Sequence, residues 1–173
     1  MRHGTEASRE MLKPEILTKI PPNTVFYIDS HGGPDQAGRF KFGDCYAQPN
    51  SGDEFYIYEN EVEDKVGEKT AAQPPYNFVY MDCCYSAYVD SAAVSWGISG
   101  YEYDEAYFGW VGESYDSWGY KNYTTAFFQD LADGNTAQHA KEEAERLTEI
   151  GGGVGIGDPD TRLYWAYGSS LQF

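Results

Sequence analysis

The sequence predicts an α/β fold with a mostly parallel central sheet and helices on both of its faces. Three observations lead there. Short apolar, β-prone runs alternate with helical segments along the chain. Two of those runs, "TVFYID" and "YNFVYMD", each end at an Asp and are followed by polar or small residues, the mark of a buried strand emerging at a sheet edge. The chain has 173 residues, 17% of them aromatic, which is enough ring surface for one core and one domain over residues 1–173.

The elements follow in order. "ASREMLKPEILTKI" reads as helical, with Leu12, Ile16 and Ile20 on one face, Pro14 interrupting it and "PPN" stopping it. "TVFYIDSHGG" is a buried strand running into a tight loop. Residues 33–75 are the least regular. "FYIY" there reads as a strand, and the charged, Pro-ended stretch from Glu59 to Pro75 as an exposed mobile loop. "YNFVYMD" is the second apolar strand. "SAYVDSAAVSWGI" is a small-residue helix with Tyr88, Ala92 and Trp96 spaced for one face, and "EAYFGWVG" is a third strand. "NYTTAFFQDLADG" predicts a helix whose stripe is Tyr123, Phe127 and Leu131 and which Gly134 ends. "NTAQHAKEEAERL" is amphipathic, with Asn135 and Gln138 placed as a capping box and Ala137, Ala140, Ala144 and Leu147 on one face. "GGGVGIGDPD" reads as a flexible connection, since it follows a helix and lacks the Lys-Ser/Thr of a phosphate loop. "RLYWAYG" is a last strand.

Composition narrows the function. The formal net charge is −16, so nucleic acid is not an expected partner, because phosphate binding needs clustered Lys and Arg. Such a charge suits basic peptides or divalent cations. No run of 18 apolar residues exists, so no membrane partner is expected. Three cysteines, two of them adjacent, do not make a disulfide framework. A reduced, cytoplasmic setting is the simplest expectation. There is no Cys-x-x-Cys pair and the three histidines are scattered, which argues against structural zinc.

The chemistry concentrates at two strand ends. In α/β sheets, sites form beyond the carboxyl ends of the strands. His31 follows the first apolar run and Cys84 the second, and the stretch between them is long enough for a crossover that sets the two strands side by side. Free cysteine is usually a small core residue. A strand ending in His-Gly, followed about 50 residues later by a strand ending in Asp-x-Cys, changes those odds. On "FYIDSHGG" and "FVYMDCCYSA" the chain resembles the caspase-like clan of cysteine peptidases, which includes caspases, metacaspases and gingipains. The second motif is similar to the metacaspase pattern Asp-x-Cys-x-Ser-Gly, with Ala87 in place of the Gly. "SAAVSWGI", "AYFGW" and "FFQDLADGNTAQHAKEEAER" also resemble the clan in order and spacing, and the likeness extends from about residue 5 to about residue 168.

The resemblance implies a three-layer α/β/α sandwich and a cysteine endopeptidase with a Cys-His dyad. The clan places a strand before the first helix, which this chain begins too late to supply. Cys84 is then the nucleophile and His31 the proton carrier. The oxyanion is held by the backbone N–H groups of Gly32 and Cys84. Asp82 lines the pocket for the residue before the cut bond, so cleavage follows Arg or Lys in a basic peptide or protein. No cofactor is required. Calcium is compatible with the clan, though no motif in the sequence calls for it. A linker between the motifs is often cut in the clan, and Lys65 and Lys69 offer basic points for that.

Competing roles remain open at this stage. Cys83 alternates with Cys84 and is expected in the core; Cys45 is a loop thiol; His3 and His139 are not expected to be ligands. Asp82 could instead cap a loop or orient backbone N–H groups. Trp110 and Trp118 could line a cleft, with core packing the simpler role. The alternative function is a non-catalytic caspase-like domain acting as a regulatory or protein-binding module. A Tyr- and Trp-rich carbohydrate- or cation-binding domain is a third, but it leaves His31 and Cys84 unexplained.

Overall fold

The computed structural model describes residues 24–44, 55–66, 76–88, 91–98, 105–115 and 117–157. The expected first helix, Cys45 and the last strand at "RLYWAYG" lie outside them. The described strands are β1 (Thr24–Asp29), β2 (His31–Pro34), β3 (Phe40–Asp44), β4 (Phe55–Tyr58), β5 (Tyr76–Asp82), β6 (Ala106–Trp110) and β7 (Gly153–Gly157). The helices are α1 (Glu59–Val66), α2 (Ser91–Ser95), α3 (Trp118–Ala132) and α4 (Ala137–Thr148).

The main sheet has the order β1-β5-β6-β7. β1, β5 and β6 are parallel, and β7 runs antiparallel to β6. β5 lies inside this sheet with both faces covered, which explains its unbroken apolar run: Phe78, Val79, Tyr80 and Met81 are all fully buried. Alternation then divides the core in two. Phe78 and Tyr80, with Phe108 and Trp110 of β6, pack against α3 and α4, whereas Val79, Met81, Cys83 and Tyr107 pack with α2, Trp96 and the second sheet. The fold is therefore mixed α/β, as expected.

The α3 stripe falls where the spacing puts it: Tyr123, Phe127 and Leu131 are buried. Phe127 is the hub. Its ring lies 4.8 Å from Phe108, 5.1 Å from Tyr80 and 5.9 Å from Phe78 between centroids. On α4, Ala140 and Ala144 are buried, but Leu147 is 56% exposed and sits outside the packed face. The cap of α4 is also one residue later than expected. Thr136, not Asn135, is the N-cap, and its hydroxyl accepts the His139 backbone N–H.

Further expectations are corrected. β1 is not a buried strand: it stands at the end of the main sheet's order, with Val25 and Tyr27 exposed. "HGG" is not a tight loop: β2 starts directly after Ser30 and enters a second, antiparallel sheet of order β2-β3-β4. Residues 59–66 are not a loop but helix α1. The Glu61 carboxylate accepts the Tyr58 N–H at its start, and Val62 is buried in the core against the second sheet. Only Val62 and Val66 are apolar in this charged octet, too short a stripe to mark a helix by pattern alone. "GGGVGIG" is not a flexible connection but carries β7. Glycine is needed there because a Cβ at Gly153 would collide with the Phe108 ring. The small-residue helix is also shorter than expected, since residues 83–88 form turns and only Ser91–Ser95 are helical within the described part.

Replacing Phe127 by Ala removes the hub ring, and should lower stability by about 3–5 kcal/mol in urea unfolding. A loss below about 1 kcal/mol would mean that α3 does not carry this side of the core.

Candidate active site

The candidate site is built where β1 and β5 end together. The parallel register pairs Asp29 with Asp82, and the Ser30 N–H donates to the Asp82 carbonyl at 3.3 Å. Past that point the chains remain in contact. A Cβ on Gly32 would stand 2.8 Å from Cys83 Cβ and 2.8 Å from the Cys84 carbonyl oxygen. One of those neighbours is backbone and cannot step aside. Gly32 is thus required by close approach.

The residues on either side of His31 both face Cys83. Ser30 Oγ lies 3.3 Å from Cys83 Sγ, and Gly32 abuts its Cβ. His31 is exposed and opens β2.

The two adjacent cysteines stand in different environments. Cys83 is fully buried among Met81, Ala87 and Tyr107, and burial pushes its thiol up to about 12. It is a core residue, inert as a thiolate. Cys84 is partly exposed. Its Sγ donates to the Ser114 carbonyl at 3.1 Å and accepts the Ser114 N–H at 3.3 Å. Both thiols are free.

The turn that carries Cys84 is clamped to β6 through Ser86. The buried Ser86 hydroxyl donates to the Met81 carbonyl at 2.9 Å and accepts the Trp110 N–H at 3.0 Å. The Tyr107 hydroxyl donates to the Ser86 carbonyl at 2.6 Å, and the Ala87 N–H to the Trp110 carbonyl at 2.9 Å. The Tyr85 N–H reaches the Gly112 carbonyl at 2.7 Å. Gly109 is needed for this contact, because a Cβ there would stand 2.7 Å from Ser86 Oγ. The Ser of the quoted motif therefore has a physical task. Ala87 is buried where the motif has Gly, and its backbone φ is not positive, so no glycine is needed at this position.

Asp82, at the end of β5, is partly buried. Trp110 Nε1–H donates to one carboxylate oxygen at 2.9 Å and Thr124 Oγ1–H to the other at 3.0 Å. Burial raises its pKa above the usual carboxylate range, Asp29 adds to the rise, and the Thr124 and Trp110 donors oppose it. Each oxygen keeps a second lone pair for a further donor. Burial first, then the charges of Cys84 and Asp82, raise the Tyr120 hydroxyl above its ordinary value. It packs 5.0 Å from Trp110 and its hydroxyl donates to the Glu113 carbonyl.

Trp110, one of the two tryptophans considered for a cleft, is thus buried and serves as a donor to Asp82, whereas Trp118 is 83% exposed. His139 is surface-exposed and pairs with Asp130 at 2.7 Å. Among the described residues no cluster of His, Cys, Asp or Glu could hold a metal, and no helix is long and apolar enough to cross a membrane. Ser114, Thr124 and Tyr120 were invisible to sequence reasoning. Each is a common residue in a segment read only for its apolar stripe or its strand end. No protein-family model and no curated protein matches the chain.

Two outcomes follow. Under native conditions iodoacetamide should modify Cys84 at least tenfold faster than Cys83, as read by peptide mapping; preferential loss of Cys83 would contradict the assignment. Gly32→Ala should cost about 1–3 kcal/mol of stability by overpacking against Cys83 and Cys84, measured by thermal unfolding. An unchanged midpoint would mean that the two strand ends are not in contact.

Proposed function

We propose that this chain is a caspase-like domain acting as a cysteine endopeptidase, with His31 and Cys84 as its dyad and with cleavage after Arg or Lys. The observation that supports the proposal is the close approach of Gly32 to the Cys84 carbonyl where two parallel strands end, which is compatible with a His31 and Cys84 pair at that edge. The quoted motifs supply the chemistry. In the first step His31 takes the Cys84 proton and the thiolate attacks the scissile carbonyl. The Gly32 and Cys84 N–H groups accept the oxyanion. The intermediate collapses to a thioester as protonated His31 gives its proton to the leaving amine. Water, deprotonated by His31, then hydrolyses the thioester and restores the thiol. The dyad needs no cofactor, and it needs a compartment that keeps Cys84 reduced, such as the cytoplasm.

Asp82 supports the specificity. A half-buried carboxylate beside the nucleophile, with one lone pair free on each oxygen, suits a guanidinium or ammonium and disfavours an acidic side chain. The net charge of −16 draws basic peptides toward it.

One observation favours the second reading, a non-catalytic binding domain. The Cys84 proton points to the Ser114 carbonyl, and that bond must break before His31 can take the proton. Turnover separates the two. Peptide-library cleavage should show Arg or Lys before the cut bond, and Cys84→Ala should abolish it. Asp82→Ala should lower kcat/KM for basic substrates by about 100-fold, the scale of a lost buried charge pair. Preference for Asp or for large apolar residues at that position contradicts the pocket, and absence of cleavage favours the binding module.

The pH dependence carries a sign. The pull of Asp82 on a basic side chain exists while the carboxylate is ionised. It is lost as pH falls through a pKa that burial holds above the usual range. Wild-type kcat/KM should therefore show an acid limb above the ordinary carboxylate range that is missing in Asp82→Asn. Identical profiles in the two proteins would remove Asp82 from substrate binding.

A further inference from the structure

Asp82 ends a directed chain of hydroxyls. The Thr124 hydroxyl donates to Asp82 Oδ2 at 3.0 Å, and the Tyr80 hydroxyl lies 3.2 Å from the same Thr124 oxygen. A hydroxyl has one proton to give. Thr124 gives its proton to the carboxylate, so the Tyr80 O–H donates to Thr124. Burial, and then the charge of Asp82, push the Tyr80 hydroxyl well above its ordinary value, so it keeps the proton that this direction needs. Packing fixes both hydroxyls. Tyr80 is fully buried and stacks on Phe108 with centroids 4.6 Å apart, and Thr124 follows the buried Tyr123 on α3. The other carboxylate oxygen takes the Trp110 indole N–H, which can only donate. These partners suit Asp82 as an anion. A carboxyl proton aimed at Thr124 would turn that hydroxyl onto Tyr80. The Tyr80 proton would then be left among the Phe108, Phe127 and Phe128 rings, which have no oxygen or nitrogen to receive it.

We propose, on the reading of Asp82 as the carboxylate that takes a basic side chain, that Thr124 is its positioning residue: the Thr124 hydroxyl, oriented by Tyr80, holds Asp82 ionised and fixes one of its oxygens, so that the remaining lone pairs are left for a guanidinium or ammonium. Thr124 acts through Asp82 and touches no substrate in this role. The surroundings make such a donor necessary. Burial opposes charge on Asp82, and Asp29, its register partner on β1, opposes it further. The other titratable groups that feel the Asp82 charge are Tyr27 of β1, Tyr80 of β5, Cys83 in the following turn and Tyr120 of α3. All four are raised, so each keeps its proton at neutral pH and none of them helps or hinders by its own charge. Hydrogen bonds from Thr124 and Trp110 are what favour the ionised form.

The test reads Asp82 itself and does not depend on turnover. In protein labelled with 13C at the aspartate carboxyls, the Asp82 signal is the one lost in Asp82→Asn, and its titration is followed by NMR. Thr124→Val keeps the side-chain shape and removes the hydroxyl. It should lower the Asp82 ionisation constant about tenfold, the scale of one hydrogen bond to a charged group. Thr124→Ser should restore it. Tyr80→Phe, which keeps the ring, should move it the same way by less, and gives a reading that does not need the Thr124 variants to fold. N-acetylarginine methylamide, added midway between the wild-type and Thr124→Val midpoints, should bind Thr124→Val about threefold more weakly, the ratio of the ionised fractions. An Asp82 titration unmoved by Thr124→Val and Tyr80→Phe, or a shift in Thr124→Ser equal to that in Thr124→Val, overturns the inference. If the titration shifts as stated but the arginine probe binds Asp82→Asn as tightly as wild type, the basic-pocket reading fails and the control of Asp82 by Thr124 stands. Probe binding that depends on Asp82 but not on Thr124 gives the reverse.

Discussion

Ser86 decides where Cys84 stands. Its buried hydroxyl bonds to Met81, near the end of one strand, and to Trp110, at the end of the next. A buried hydroxyl that lost either partner would leave a backbone group unsatisfied, at about 1–3 kcal/mol each. The turn between these contacts has little freedom, and Cys84 lies inside it. The demand propagates outward. Gly109 must lack a side chain so that Ser86 can approach β6, and the Tyr107 hydroxyl must reach the Ser86 carbonyl from a fully buried position. One hydroxyl thus couples the packing of three neighbouring residues to the position of a thiol.

The second constraint is the parallel register of β1 and β5. It sets Asp29 beside Asp82 and carries both chains to the same sheet edge, where the small antiparallel sheet begins. The chemistry then divides: Ser30 and Gly32 meet Cys83, whereas Asp82 bonds to Trp110 and Thr124 and the Cys84 thiol to Ser114. Burial opposes charge on Asp82, and two neutral donors partly offset this while leaving capacity for a cationic partner.

Much of this was legible in the sequence, for physical reasons that differ by element. The strands β5 and β6 announce themselves because burial on both faces demands continuous apolar runs, whereas β1 carries a similar run at the end of the sheet order with Val25 and Tyr27 exposed. The α3 stripe is visible because its three buried residues keep an i, i+4 spacing. Cys83 is buried and Cys84 partly exposed, as the sequence led one to expect, but in a turn beyond the strand rather than by strand alternation. What stayed hidden depends on contacts distant in sequence. Helix α1 buries Val62 against the second sheet, and β7 has Gly153 where Phe108 fills the space beside it. The partners of Asp82 and Cys84 come from segments 28 to 42 residues away. The Asp-x-Cys pattern pointed to the site, but it gave no sign of Ser114 or Thr124.

The central claim is that Cys84 is a nucleophile served by a basic-residue pocket. Covalent capture with a peptidyl-arginine acyloxymethyl ketone, read by intact mass and peptide mapping, tests it most directly. The account predicts a single adduct on Cys84 that forms faster than with the matching peptidyl-aspartate reagent and is lost in His31→Ala. No adduct, an adduct on Cys83, or equal rates with the two reagents would contradict it.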